Sequence, residues 1–79
     1  MPDMTDMMVK ALEAKYNAQY KEAEMTLQIY FKAAVGVGEH PQHMEEMDKL
    51  IASMTDASDK LITLKTIQKN DNEKNLLVE

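Results

Sequence analysis

The sequence predicts an all-α protein, an antiparallel hairpin of two long helices. The residues that interrupt helices are confined to Pro2 and to a cluster of Gly36, Gly38 and Pro41 near the middle of the 79 residues. Apolar residues on both sides of that cluster recur with heptad spacing. The two uninterrupted stretches also have similar lengths, and equal helices joined by a short turn pack as an antiparallel pair.

The first helix is predicted over residues 4–34. Asp3 is a suitable N-cap, and Asp6 follows three residues later, as the acid of a capping box does. Gly36 is suited to the left-handed conformation that commonly follows the last helical residue. We therefore expect the helix to end just before it.

The turn is predicted over residues 35–40 and the second helix over residues 41–69. Pro41 suits the first position of a helix because the missing N–H is not needed there. Residues 70–79 are mostly polar and are predicted to be a flexible tail. The apolar residues 76–78 in this tail leave two alternatives open, docking on the hairpin or on a partner, and remaining free.

A stripe with heptad spacing on each helix predicts the contact between them, which we call the seam. His43 stands at the turn end of the second stripe. The members of the seam are Tyr16, Tyr20, Ala23, Leu27 and Tyr30 in the first helix and Met47, Leu50, Met54, Ala57, Leu61 and Leu64 in the second.

The first helix carries a further apolar strip, away from the seam, which we call the outer strip. It consists of Met7, Ala11, Ala14, Ala18, Met25 and Ile29. Chains below about 80 residues usually need disulfides, a metal or oligomerisation for stability, and this chain contains no Cys. We therefore expect a homodimer that forms a four-helix bundle through the outer strip. A larger bundle and a different protein partner are the alternatives.

Composition excludes several classes of function. The net charge is −5, with nine Lys and no Arg, so the chain should be repelled by nucleic acids and by anionic membranes. No apolar run approaches the roughly 20 residues that span a bilayer. The first residues lack the basic start of a signal peptide. We expect a soluble, intracellular protein without a cofactor.

Catalytic and metal sites find little support in the pattern. The carboxylates pair with Lys along solvated helix faces, as predicted for Glu45 with Lys49 and for Asp56 with Lys60. His40 and His43 are candidates for metal ligands, since imidazole binds zinc. They are weak candidates, because their spacing matches no established helical motif. The expected function is thus that of a non-catalytic protein that self-associates.

Eight Met residues leave two interpretations open. Met fills irregular cores, and it is also enriched on adaptable binding surfaces. The second interpretation gives an alternative function, an acidic adaptor that binds another protein through its Met-rich or acidic surface.

Two segments, residues 22–30 (EAEMTLQIY) and 36–50 (GVGEHPQHMEEMDKL), resemble small helical proteins encoded by marine tailed phages, including cyanophages. The resemblance covers residues 8–64. It implies a phage-encoded accessory protein in the cytoplasm of an infected bacterium or in a virion. It carries no catalytic or binding residue over to this chain.

Overall fold

The protein is all-helical over the residues described by the computed structural model, and two long helices pack against each other as a hairpin. The structure describes the backbone of residues 3–37 and 41–77 and the side-chain surroundings of residues 3–32 and 43–71. Helix α1 spans Met4–Val37 (34 residues) and helix α2 spans Pro41–Leu77 (37 residues). The predicted all-α hairpin is confirmed.

Asp3 caps α1 as the sequence predicts. Its Oδ1 accepts a hydrogen bond of 2.9 Å from the backbone N–H of Asp6, and its carbonyl accepts one of 3.1 Å from the N–H of Met7. The side chain thereby satisfies one of the N–H groups that a helix leaves without a partner in its first turn.

The C-terminal end of α1 differs from the prediction. The helix continues through Gly36 to Val37, where an end near residue 34 was expected. A glycine inside a helix costs only about 0.5–1 kcal/mol relative to alanine, which a helix of this length tolerates. Residues 35–37 of the predicted turn are therefore helical, and residues 38–40 lie outside the described part.

The predicted end of the second helix at residue 69 is wrong, because α2 continues to Leu77 through most of the segment predicted as a flexible tail. Residues 70–77 contain neither Gly nor Pro. Asn and Asp are poor helix formers, but each costs at most about 0.7 kcal/mol, and the Glu, Lys and Leu residues that follow favour the helix. Residues 78 and 79, and all side chains from residue 72 onward, lie outside the described part.

The hairpin is one helix thick and buries little. Its principal extents are 64 × 23 × 14 Å, and its radius of gyration is 18.3 Å, compared with about 12 Å for a compact domain of this length. Among the described residues, the buried apolar side chains are Ala23, Leu27 and Ala57. All other seam residues are half-buried.

The side chain of Ala57 is fully buried (0% exposed), so a substitution at this position tests whether the two helices must approach closely. We expect Ala57→Leu to destabilise the protein by about 1–3 kcal/mol, since a larger side chain would push the helices apart. The matched control is Ala52→Leu at an exposed position of the same helix. Urea denaturation followed by circular dichroism measures both, and equal midpoints for the two variants would contradict the close approach.

Candidate interaction surfaces

A polar cluster joins the two helices at mid-length, on one side of the hairpin. The side-chain amide Nε2 of Gln19 donates to the carbonyl oxygen of Ser53 at 3.0 Å and to Oδ2 of Asp56 at 3.1 Å. The hydroxyl of Ser53 lies 3.4 Å from the same nitrogen. Because these bonds link residues 34 to 37 positions apart, the cluster fixes which part of α1 lies beside which part of α2.

Lys60 extends this cluster. Its Nζ forms an ion pair of 2.9 Å with Oδ2 of Asp56 and lies 5.5 Å from the centroid of the Tyr16 ring, within the range of a cation–π contact. Hydrogen bonds from Lys60 and then from Gln19 hold the pKa of Asp56 below its ordinary value near 3.8. The same bond to Asp56 raises the pKa of Lys60 above its ordinary value near 10.5.

Sequence reasoning found only part of this cluster. The pair of Asp56 and Lys60 was predicted from its spacing, whereas Gln19 was not singled out. The heptad pattern places Gln19 at the edge of the seam, but its hydrogen-bond partners follow only from the register in which the two helices pack. A second predicted pair differs, because Lys49 pairs with Glu46 at 3.5 Å and not with Glu45. Positions three and four residues away are both neighbours on a helix.

His43 lies at the turn end of the seam. Its ring stands edge-on to that of Tyr30, with a centroid distance of 5.5 Å and an interplanar angle of 68°. The other weak metal candidate, His40, lies outside the described residues. Within the described part of the chain, the structure brings together no group of three or more His, Asp or Glu side chains that could hold a metal ion.

Most of the outer strip lies on the side of α1 that faces away from α2, and Ala18 also lines a groove shared with Leu50 and Ser53 of α2. Ala14 precedes the buried Ala23 by nine residues, about two and a half turns, and so points in the opposite direction. Met7, Met25 and Ile29 are 57%, 68% and 63% exposed. The remaining members, Ala11, Ala14 and Ala18, are also exposed. The hairpin therefore leaves the whole strip uncovered.

A shallow groove of about 280 Å³ runs along one broad side of the hairpin and is called here the lateral groove. Exposed Phe31 and Met44 lie toward the turn end of the molecule. The residues that line the groove are Tyr20, Leu27, Ile51, Met54, Thr55, Ser58 and Asp59. Among the described residues, the outer strip is thus an apolar surface on α1, and the lateral groove is an apolar surface shared by both helices.

Over the described residues, neither helix contains a stretch long and apolar enough to cross a membrane. Comparison of the chain with protein-family models, with curated proteins and with solved structures gave no match.

Replacement of Gln19 by Met tests the polar cluster. The variant keeps a side chain of similar length but loses the donor to Ser53 and Asp56, so we expect a loss of about 0.5–1.5 kcal/mol in the free energy of unfolding. Gln28→Met, the same change at an exposed position of α1, is the control. A Gln19→Met variant as stable as the control in urea denaturation would show that the cluster contributes nothing.

The charge on Asp56 makes part of this stability dependent on pH. Because its pKa is lowered in the folded protein, the contribution is present above the ordinary value near 3.8 and is lost as the pH falls through the folded value. We expect the wild type to have a higher urea midpoint than Asp56→Asn at pH 6. The difference should shrink as the pH approaches 2, and a constant difference would contradict this role of the carboxylate.

Proposed function

We propose that the protein is a non-catalytic assembly component that self-associates through the outer strip of α1. The observation that carries the proposal is a line of exposed Met, Ala and Ile side chains along the face of α1 opposite the seam. Large apolar surfaces left open on a small protein mark interaction sites. The resemblance of residues 22–30 and 36–50 to small helical phage proteins supports the further proposal that such a component acts in an infected bacterium or a virion.

The area of exposed surface supports association. The chain has an accessible surface of 6662 Å², whereas a compact monomer of 9.0 kDa would expose about 4,900 Å². The excess is about 1,800 Å², and each partner in a standard interface buries about 800 Å². The chain could therefore take part in an ordinary interface and still keep an extended shape.

The position of the outer strip favours a particular arrangement of helices. In a square four-helix bundle, each helix contacts its two neighbours through faces about 90° apart. On α1 the seam and the outer strip are on opposite sides. Pairing through the strip would place the four helices side by side in a single layer, with α1 and its copy in the centre, and we propose this layer instead of the square bundle.

The alternative function, an acidic adaptor, is supported by the lateral groove. Tyr20, Leu27, Ile51 and Met54 line the groove together with the carboxylate of Asp59. An amphipathic helix with basic flanks would suit such a surface. An adaptor does not require self-association, so the mass of the protein in solution separates the two functions.

We expect sedimentation equilibrium to give twice the chain mass of 9.0 kDa at micromolar concentration. The double variant Ala14→Glu/Ala18→Glu should remain helical and become monomeric, because association would bury two unpaired carboxylates per chain. Ala52→Glu/Thr63→Glu adds the same charges at exposed positions of α2 and should remain dimeric. A folded wild-type monomer over the whole concentration range would refute self-association and favour the adaptor.

A further inference from the structure

We infer that the lateral groove binds a helix of another protein that carries Lys or Arg on both sides of an apolar face. The contact is additional to self-association, and it rests on that proposal only because the outer strip is then already occupied. Two features of the groove support it. Exposed apolar side chains extend the groove along α2, and carboxylates at its rim form no ion pair.

The apolar surface of the groove continues along α2 in both directions. Ile51 and Thr55 line the groove. Met44 precedes Ile51 by one heptad, and Ile62 follows Thr55 by one heptad, so both lie on the same side of α2. The side chains of Met44, Ile51 and Ile62 are all exposed. From Met44 to Ile62 the surface extends over about 27 Å, which matches the length of a partner helix of about five turns.

Carboxylates border this surface on both helices. Asp59 lines the groove itself. Asp48 precedes the groove residue Thr55 by one heptad, and Glu24 follows the groove residue Tyr20 by one helical turn, so both lie on the groove side of their helices. Asp48 and Asp59 are exposed, and Glu24 is half-buried. The α2 rim and the α1 rim therefore each carry negative charge.

No lysine of the hairpin neutralises these carboxylates within the described residues. The two ion pairs that the structure shows there involve none of the three. On α2, Lys49 and Lys60 pair with other acids. On α1, Lys21 stands three positions before Glu24, yet the two side chains form no ion pair. A partner helix with Lys or Arg along both edges of its apolar face would complement the charge of both rims.

A second copy of the chain suits the groove less well. Two grooves placed face to face would bring their carboxylates together, and like charges oppose such a contact. The outer strip does have Lys10 and Lys21 along one edge, but the proposed self-association covers that strip. The occupant is therefore a basic amphipathic helix from a different protein.

The experiment uses two synthetic helical peptides of about 18 residues with Leu at heptad spacing. The basic peptide carries Lys on both sides of the Leu face, and the acidic peptide carries Glu there. We expect isothermal titration calorimetry at low ionic strength to give a Kd at least tenfold lower for the basic peptide. The triple variant Glu24→Gln/Asp48→Asn/Asp59→Asn should weaken binding of the basic peptide about tenfold, because it removes three charge pairs.

The matched control is Glu22→Gln/Glu45→Gln/Asp71→Asn, which removes the same net charge at residues that do not line the groove. It should change the Kd of the basic peptide by less than about threefold. Circular dichroism checks that both triple variants are folded.

The results separate this contact from the proposed self-association. Absence of binding, equal affinity for the two peptides, or equal effects of the two triple variants would overturn the inference and leave self-association intact. A wild-type dimer that the groove variant converts to a monomer in sedimentation equilibrium would show that a second copy occupies the groove, which would also overturn it. A wild-type monomer that binds the basic peptide through the groove would refute self-association and support this contact.

Discussion

The constraint on which the structure depends is the small amount of apolar surface that two helices can bury. Each helix offers one face to the other, and the described part of the chain buries only Ala23, Leu27 and Ala57 among its apolar residues. Ordering each residue costs roughly 1.5 kcal/mol, and burial returns about 25 cal/mol per Å². A hairpin that is one helix thick can offset little of this ordering cost by burying apolar surface. The association proposed above would add apolar burial without a longer chain.

Hydrogen bonds between the helices help to fix their relative position. An apolar seam with heptad spacing allows shifts by a whole heptad, because equivalent faces would still meet. The bonds from Gln19 to Ser53 and Asp56 exist only in one register. Together with the small side chain of Ala57, they define how the helices lie against each other.

Much of the fold was predictable because its determinants are local or periodic. Asp3 as the N-cap follows from the preference of a short carboxylate for that position, and the structure shows its hydrogen bond. The ends of the helices were less predictable, because Gly36 and the polar residues after Lys69 shift helix stability by small increments that neighbouring residues outweigh. Gln19 was not identifiable as a functional residue, since its partners are more than 30 positions away and depend on the register.

The lateral groove and the outer strip differ in how closely each could define the partner that binds to it. The lateral groove combines residues from two helices, so its shape depends on the seam, and its chemistry would suit a helix with one apolar face. The outer strip belongs to one helix, with Ala11, Ala14 and Ala18 together in its N-terminal half and Met25 and Ile29 after them. An isologous contact between two copies requires that such a surface be complementary to itself. Pairing there leaves the lateral groove open on every hairpin of the layer, so self-association and the binding of a further helix are compatible in one molecule.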